Sequence, residues 1–335
     1  MTIKTTALIS TALLATLAAC GGGGGGQLGG PIEITPAEEG TRSFAAKADG
    51  STQDAGGALS AGSTLTARKV AAVGQLLNYN NGKTGATDAA VSIKKNAQGG
   101  HDVTINGKVM KFTAADRLVE ADGTFGYNIE DDAKGVYSSV FNYTGDLDDL
   151  LNPGHGYAEV LSIQTNKLGA DNADTAAFAV VGTETADAAL KGMPTATYKG
   201  NARLNVTPNT GFVDNGTSRI KVRSAMTMTA DFGKGEVSGK LTGITAQQPG
   251  SAARESLPGS VLLNTAKFNN NGFKGSVSAD AAFADNSGLT VGSGTYGGAF
   301  YGPAANEVAG GLTFTGTAEG GTALNGIGYF QGGKQ

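Results

Sequence analysis

The stretch that decides the fold runs from Gly292 to Lys334 and reads GSGTYGGAFYGPAANEVAGGLTFTGTAEGGTALNGIGYFQGGK. Two alternating runs, Thr295 to Tyr301 and Glu307 to Thr315, flank the sequence Gly302-Pro303-Ala304-Ala305. Proline presets φ for a turn and glycine tolerates positive φ, so the pattern predicts a β-hairpin. Large residues alternate here with glycine, alanine and threonine, which is typical of a curved sheet with one packed face. These large residues are Phe300, Val308, Leu312 and Phe314.

The composition of the whole chain agrees with glycine-dense β-structure. The chain has 335 residues, of which 54 are glycine and only 8 are proline, so it resembles neither collagen nor a proline-rich linker. Hydrophobic residues make up 39% and charged residues 16%, which is enough for one or two cores, and we expect two modest domains. The formal charge of −4, without a long basic run, excludes the electrostatic signature of a nucleic-acid-binding protein.

The C-terminal part of the chain predicts an eight-stranded antiparallel β-barrel. A closed barrel has no sheet edges, and with eight strands its interior is just filled by side chains. A barrel that spans a membrane would need a continuous apolar outer band, whereas this part of the chain places many polar residues in or beside its strands, so we expect a soluble barrel. The predicted strands are Thr195–Val206, Ser218–Asp231, Glu236–Thr245, Ser260–Phe268, Gly272–Phe283, Thr290–Tyr301, Ala305–Thr315 and Leu324–Phe330.

The preceding part predicts a second β-rich domain. Its clearest signal is Asn106-Gly107, which joins two strand-like runs as a hairpin. Short helices are predicted near Thr113-Ala114-Ala115-Asp116 and over Asp146 to Leu151. The predicted strands are Leu65–Leu77, Val91–Asn96, Asp102–Ile105, Val109–Phe112, Phe125–Ile129, Val136–Tyr143, Tyr157–Gln164 and Phe178–Val181.

The extreme N-terminus predicts a lipoprotein signal. A charged start at Lys4 and a short apolar run from Ala7 to Leu17 lead into Leu17-Ala18-Ala19-Cys20, which is similar to a bacterial lipobox. The resemblance implies acylation of Cys20, and several acyl chains make an effectively permanent anchor. Gly21 after the cysteine is typical of sorting to the outer membrane, and the glycine tract Gly21 to Gly26 predicts a flexible tether. An ordinary signal peptide with a free cysteine is the alternative.

Four stretches resemble one family, the transferrin-binding protein B-like surface lipoproteins: Gly298 to Lys334, Lys191 to Gly200, Ala179 to Thr185, and Met226 to Gly239. The resemblance implies a signal peptide at 1–19, a tether at 20–62, an N-terminal handle domain at 63–190 and the family barrel at 191–335. It also implies capture of a host iron protein, haemoglobin or haem for an outer-membrane transporter, and display at the cell surface by a lipoprotein assembly modulator. Because the chain has a single lobe, it is similar to haemoglobin- or haem-capturing members, or to the factor-H-binding protein. A structural or periplasm-facing lipoprotein without a small ligand is the alternative.

The sequence offers no complete catalytic motif, and we interpret the protein as a non-enzyme without a cofactor. Gly292 to Gly297 matches G-x-G-x-x-G, but a strand follows it instead of the helix that a dinucleotide site needs. The acidic groups Glu130-Asp131-Asp132 and Asp146, Asp148 and Asp149 lack the calcium-loop pattern and are expected to be solvated. A hydrolase that uses only carboxylates is the remaining enzymatic alternative.

The two histidines have two interpretations, as plain surface residues or as ligands of haem iron. His101 and His155 show no metal-ligand spacing, and both are expected to lie on the surface. The alternative is haem ligation, since a single axial imidazole or phenolate is enough to hold iron. Candidates for that role are His155, Tyr157, Tyr143 and His101.

Overall fold

The structure is a computed structural model that describes residues 64–67, 69–77, 85–87, 91–105, 107–119, 125–131, 136–142, 156–165, 174–182, 184–208, 220–268 and 271–335. These residues form three antiparallel sheets, two short α-helices and one turn of 3-10 helix at Ala114–Asp116. No helix in these ranges is long and apolar enough to cross a membrane. The elements are β1 Thr64–Ala67, β2 Lys69–Leu77, β3 Gly85–Thr87, β4 Val91–Lys95, β5 His101–Ile105, β6 Lys108–Lys111, β7 Arg117–Val119, β8 Phe125–Asp131, β9 Val136–Asn142, β10 Ala158–Thr165, β11 Asp174–Gly182, α1 Asp187–Leu190, β12 Ala196–Pro208, β13 Ile220–Asp231, β14 Glu236–Gln247, β15 Glu255–Ser256, β16 Val261–Lys267, β17 Phe273–Ala279, α2 Ala281–Asn286, β18 Leu289–Tyr301, β19 Glu307–Ala318 and β20 Ala323–Lys334.

The C-terminal strands form the predicted barrel. They pair in the order β13-β12-β20-β19-β18-β17-β16-β14, and β14 pairs with β13 to close the ring. The short β15 adds a further strand beside β14. In the hairpin of β18 and β19, Tyr301 pairs with Glu307 across the turn that was predicted at Gly302 to Ala305. The eight-stranded antiparallel barrel and its decisive hairpin are therefore confirmed.

Aromatic rings fill one half of the barrel interior. Phe300 is fully buried, and its ring centroid lies 5.0 Å from that of Phe232, 5.4 Å from Phe268 and 5.5 Å from Phe273. A Cβ atom on Gly298 would come within 2.8 Å of the Phe273 ring. Because glycine has no side chain, it makes room for these rings. This explains why glycine alternates with large residues along the strands.

The predicted C-terminal boundary of the fifth barrel strand, Gly272–Phe283, is wrong. The strand stops at Ala279, and α2 begins after Asp280, whose Oδ1 accepts a hydrogen bond of 2.8 Å from the backbone N–H of Phe283. Aspartate is a strong N-cap residue, so this local bond starts a helix where the alternation of residues had predicted continued strand. The sequence reading also missed α1 and the very short strands β3, β7 and β15, which have too few residues to show a period.

Two sheets precede the barrel, as expected for an N-terminal β-rich region. One has four strands in the order β1-β4-β5-β6, and the other has seven in the order β3-β2-β11-β10-β9-β8-β7. The predicted strand Leu65–Leu77 is in fact two strands, because β1 joins the first sheet and β2 the second. The hairpin predicted around Gly107 and the helical turn near Thr113 are both present. The helix predicted over Asp146 to Leu151 lies outside the described residues.

The four-stranded sheet packs on one face of the seven-stranded sheet. Side chains of β4, β5 and β6 meet side chains of β8 to β11 in one buried cluster. The largest members of this cluster are Phe112, Tyr127, Ile93 and Ile105. The opposite face of the seven-stranded sheet packs on the outside of the barrel.

Candidate ligand-binding site

The contact between the seven-stranded sheet and the barrel is built around Glu307. This residue is fully buried at the start of β19, and its Oε2 accepts hydrogen bonds from the backbone N–H groups of Tyr157 (3.1 Å) and Ala158 (3.0 Å). From β20, the Gln331 side chain donates to the carbonyl oxygen of Ala158 at 2.7 Å. A Cβ atom on Gly156 would lie 2.7 Å from Glu307 Oε1, so the chain can approach this closely only with glycine there. The barrel thus holds the beginning of β10 through hydrogen bonds to Glu307 and Gln331.

A second polar contact fastens the segment that enters the barrel. The Asn271 side chain donates to the carbonyl oxygens of Thr185 (2.9 Å) and Phe300 (2.6 Å), and its Oδ1 accepts from the N–H of Phe300 at 2.7 Å. Thr185 Oγ1 in turn donates to the carbonyl oxygen of Gly302 at 2.5 Å. Because these groups are buried and mutually satisfied, the N-terminal sheets are held on the barrel by directional bonds as well as apolar contacts.

Two strands of the N-terminal sheets, β6 and β7, are edge strands. Strand β6 ends the four-stranded sheet and β7 ends the seven-stranded sheet, and only residues 112–116 separate them along the chain. The turn between them is fixed because Asp116 Oδ2 accepts from the backbone N–H of Thr113 (2.7 Å) and from its hydroxyl (2.8 Å). Among the described residues, no strand pairs with the outer edge of either β6 or β7.

These edges carry an unusual apolar exposure. Val109 on β6 is 51% exposed and Val119 on β7 is 54% exposed, and they are the exposed large hydrophobic side chains among the residues whose burial the structure describes. Lys111 and Arg117, on the same two strands, are also exposed. We call these four residues the edge patch. The run Val109 to Lys111 alternates exposed, buried, exposed, but Val109 and Met110 are both apolar, so the sequence does not show which of the two faces outward. Nor does the sequence show that β6 and β7 are edge strands.

The two haem candidates that the structure describes, His101 and Tyr157, lie in different apolar clusters and are not brought together. The prediction that His101 lies on the surface is wrong, because His101 is fully buried and its ring packs against that of Tyr127 with centroids 5.2 Å apart. Tyr157 is buried against the outside of the barrel, on the opposite face of the seven-stranded sheet. His155 and Tyr143 lie outside the described residues, as does the lipidation residue Cys20.

Other predicted groups can be placed only in part. The G-x-G-x-x-G match lies within β18, so it belongs to a strand as expected. Glu130 is exposed on β8, whereas the acidic residues at 146, 148 and 149 fall outside the described ranges. Within those ranges, no group of three or more His, Cys, Asp or Glu side chains is placed to hold a metal ion.

The stretches that carry the family resemblance meet at one end of the barrel. The Tyr198 hydroxyl, near the start of β12, donates a hydrogen bond of 2.8 Å to the carbonyl oxygen of Ala305 in the turn between β18 and β19. Burial raises the pKa of Tyr198 above its usual value, so the hydroxyl stays protonated and available as a donor. Ala305 has a positive φ of 51°, and the bond from Tyr198 helps to hold this turn.

Comparison with known proteins agrees with this geometry. Residues 193–332 match the family model described as the C-lobe and N-lobe beta barrels of Tf-binding protein B. This part of the chain is therefore similar to the barrels of transferrin-binding protein B, as the sequence motifs predicted. No curated protein matches the chain significantly.

Solved structures of the same kind are similar to the chain at low identity. Transferrin-binding protein B of Haemophilus parasuis Hp5, a double mutant, is 19% identical, with 80% of this chain and 45% of that chain covered and a TM-score of 0.41. The isotype 1 protein of serogroup B Neisseria meningitidis is 16% identical, with 80% and 43% covered and a TM-score of 0.37. A structure described as a surface lipoprotein is 14% identical, with 81% and 98% covered and a TM-score of 0.33. The chain thus spans less than half the length of the transferrin-binding proteins that it matches.

Proposed function

We propose that this protein is an outer-membrane-anchored surface lipoprotein that captures a host iron protein through its N-terminal β-region, with the barrel as the support. The edge patch carries the proposal. Open sheet edges with exposed apolar side chains are where proteins add a strand from a partner, because main-chain groups supply affinity and neighbouring side chains supply specificity. Val109 and Val119 are the large hydrophobic side chains that these edge strands expose, and a partner strand that paired with either edge would cover them.

The barrel contact supports this division of labour. Glu307, Gln331 and Asn271 hold the N-terminal sheets in a fixed place on the barrel, so the edge patch is presented on a rigid base. A pre-organised binding surface loses less conformational entropy when its partner docks. The proposed division is a tether at 20–62, a binding domain at 63–190 and the barrel at 191–335, and the two separate apolar clusters on either side of the seven-stranded sheet support it.

A protein ligand is favoured over haem. The described candidates, His101 and Tyr157, both lie in closely packed cores, and reaching iron would require either core to open. The edge patch, in contrast, is accessible in the structure as it stands.

The anchor and its orientation are tested first. We expect Cys20→Ala to abolish incorporation of labelled palmitate, and protease added to intact cells to cleave the wild-type protein without breaking the outer membrane. Protection until the membrane is permeabilised would contradict surface display and favour a periplasm-facing structural lipoprotein.

Ligand capture is tested with the purified full chain, immobilised and exposed in turn to haemoglobin, transferrin, factor H and haemin. We expect one of the iron proteins to bind, and the double variant Val109→Asp/Val119→Asp to weaken binding at least about tenfold, because it buries charge at an apolar contact. Ala225→Asp, at an exposed position on β13, is the matched control and is expected to bind normally. Equal binding by the double variant and the control would refute the edge patch as the capture surface.

A further inference from the structure

The barrel interior is not filled throughout, contrary to the expectation from its strand number. At the end opposite the aromatic cluster, beside β15 and α2, a cavity of about 510 Å³ forms the mouth of the barrel. A smaller recess of about 60 Å³ lies behind it, and both are lined by Val206, Val222, Leu257 and Leu289. Inward-facing side chains in this half are mostly aliphatic, and these are too short to meet across eight strands.

The recess contains one buried hydroxyl in an otherwise largely apolar wall. Ser224 lies on the inward side of β13 and is 7% exposed. Its Oγ is buried and forms no hydrogen bond with any residue that the structure describes. A buried hydroxyl without a partner is unfavourable, and in native proteins such a group usually has a functional reason. Ser224 therefore indicates a place where a polar atom of a bound molecule is recognised.

The mouth is acidic. Glu255 and Glu319 line it together with Gln248 and Ser256, and its lining within the described residues includes no lysine or arginine. An anionic head group at the mouth would be repelled by these carboxylates, and an anion in the apolar recess would lose its hydration. The cavity therefore selects against fatty acids and other anionic amphiphiles.

The walls of the mouth are held in place. Phe283 of α2 points into the recess and is fixed by the cap from Asp280. A Cβ atom on Gly259 would lie 2.2 Å from the backbone nitrogen of Phe283, so these two segments are in direct backbone contact. The N–H of Leu257 donates to the carbonyl oxygen of Ile244 at 2.8 Å. A fixed apolar cavity with a few polar groups is the usual form of a small-molecule site.

We propose that the barrel mouth binds an uncharged, mainly aliphatic molecule whose hydroxyl or carbonyl oxygen pairs with Ser224. The class is that of a long-chain alcohol or a comparable neutral lipid. The apolar wall accounts for the aliphatic part, the Ser224 hydroxyl for the single oxygen function, and the carboxylates at the rim for the absence of negative charge. This inference is independent of protein capture at the edge patch.

The test uses the full chain carrying Cys20→Ser, so that no acyl groups are attached and no detergent is needed. The uncharged fluorophore N-phenyl-1-naphthylamine reports entry into an apolar site, and dodecan-1-ol competes with it. We expect saturable fluorescence with one site per chain, displacement by dodecan-1-ol, and at least tenfold weaker displacement by dodecanoate. The absence of saturable fluorescence, or equal competition by dodecanoate, would overturn the proposal.

Variants locate the site. Val222→Phe fills the mouth and is expected to weaken probe binding at least tenfold, whereas Ala225→Phe introduces the same side chain on the outside of the same strand and leaves binding unchanged. If Val222→Phe does not fold, Val277→Phe narrows the recess from β17 instead. Ser224→Ala is expected to weaken dodecan-1-ol about fivefold without changing the affinity of the probe. Unchanged probe binding in the mouth-filling variant, or unchanged dodecan-1-ol affinity in Ser224→Ala, would contradict the assignment.

Discussion

Glu307 offers the most direct test of how the N-terminal sheets are held on the barrel. Glu307→Ala removes the acceptor of two buried hydrogen bonds and leaves the N–H groups of Tyr157 and Ala158 without it. Each such loss costs about 1–3 kcal/mol, since a buried donor loses its partner while staying out of water. We therefore expect the free energy of unfolding to fall by about 2–6 kcal/mol. Glu307→Gln keeps one oxygen acceptor and is expected to cost about half as much.

The measurement is equilibrium urea unfolding followed by circular dichroism, since the chain has no tryptophan. Hydrogen exchange read by mass spectrometry adds local information, and the peptide that contains residues 156–160 should exchange faster in Glu307→Ala. Glu319→Ala is the matched control, because Glu319 is an exposed glutamate at the opposite end of the same barrel. We expect this control to stay within about 0.5 kcal/mol of the wild type. If Glu307→Ala unfolds at the same urea concentration as the control, the contact does not hold the sheets on the barrel.

Three further perturbations probe the barrel itself. Asn271→Ala removes a buried side chain with three hydrogen bonds and is expected to cost about 2–4 kcal/mol in urea unfolding. Asn264→Ala, which loses one exposed bond to Ser276 and one part-buried bond from Ser278, should cost less than about 1 kcal/mol. Gly259→Ala places a Cβ atom against the backbone of α2 at a φ of 83°. Gly250→Ala has a similar φ of 72°, but its Cβ atom meets open space, so we expect Gly259→Ala to have the much lower melting temperature. Equal melting temperatures would contradict the contact with α2. Asp280 accepts hydrogen bonds from backbone N–H groups, and these bonds hold the pKa of its carboxyl group below the ordinary 3.8. The cap therefore stabilises the fold fully above pH 3.8, and this stabilisation is lost as the pH falls through the lower pKa of the folded state. Asp280→Asn should therefore flatten unfolding stability against pH in the acid range, and an unchanged profile would refute the cap.

The sequence by itself determined the barrel. Alternation of large and small residues, the turn at Gly302 to Ala305 and the spacing of the strand-like runs are local features, and each predicts a strand or hairpin without knowledge of distant residues. The family resemblance in residues 193–332 depends on these same local motifs. Asp280 is an N-cap residue that the sequence also shows, but the strand-like alternation of the residues around it is the stronger pattern. The sequence therefore predicted a strand where α2 begins.

Tertiary structure alone decided which surfaces are available. Nothing near His101 in the sequence distinguishes a surface histidine from one that packs against Tyr127, because that contact joins strands of two different sheets. The exposure of Val109 and Val119 likewise depends on β6 and β7 being the last strands of their sheets, and strand order follows from long-range pairing.

The same reason applies to two buried polar groups, one at the contact between the seven-stranded sheet and the barrel and one in the cavity. Glu307 reads as an ordinary polar residue at the start of a strand, and only the approach of residues 156–158 makes it a buried acceptor. Ser224 reads as one more small residue in an alternating strand, and only closure of the barrel places its hydroxyl in an apolar recess. Periodicity specifies which way a side chain points, whereas its partners are set by segments more than a hundred residues apart or by the closing of the ring.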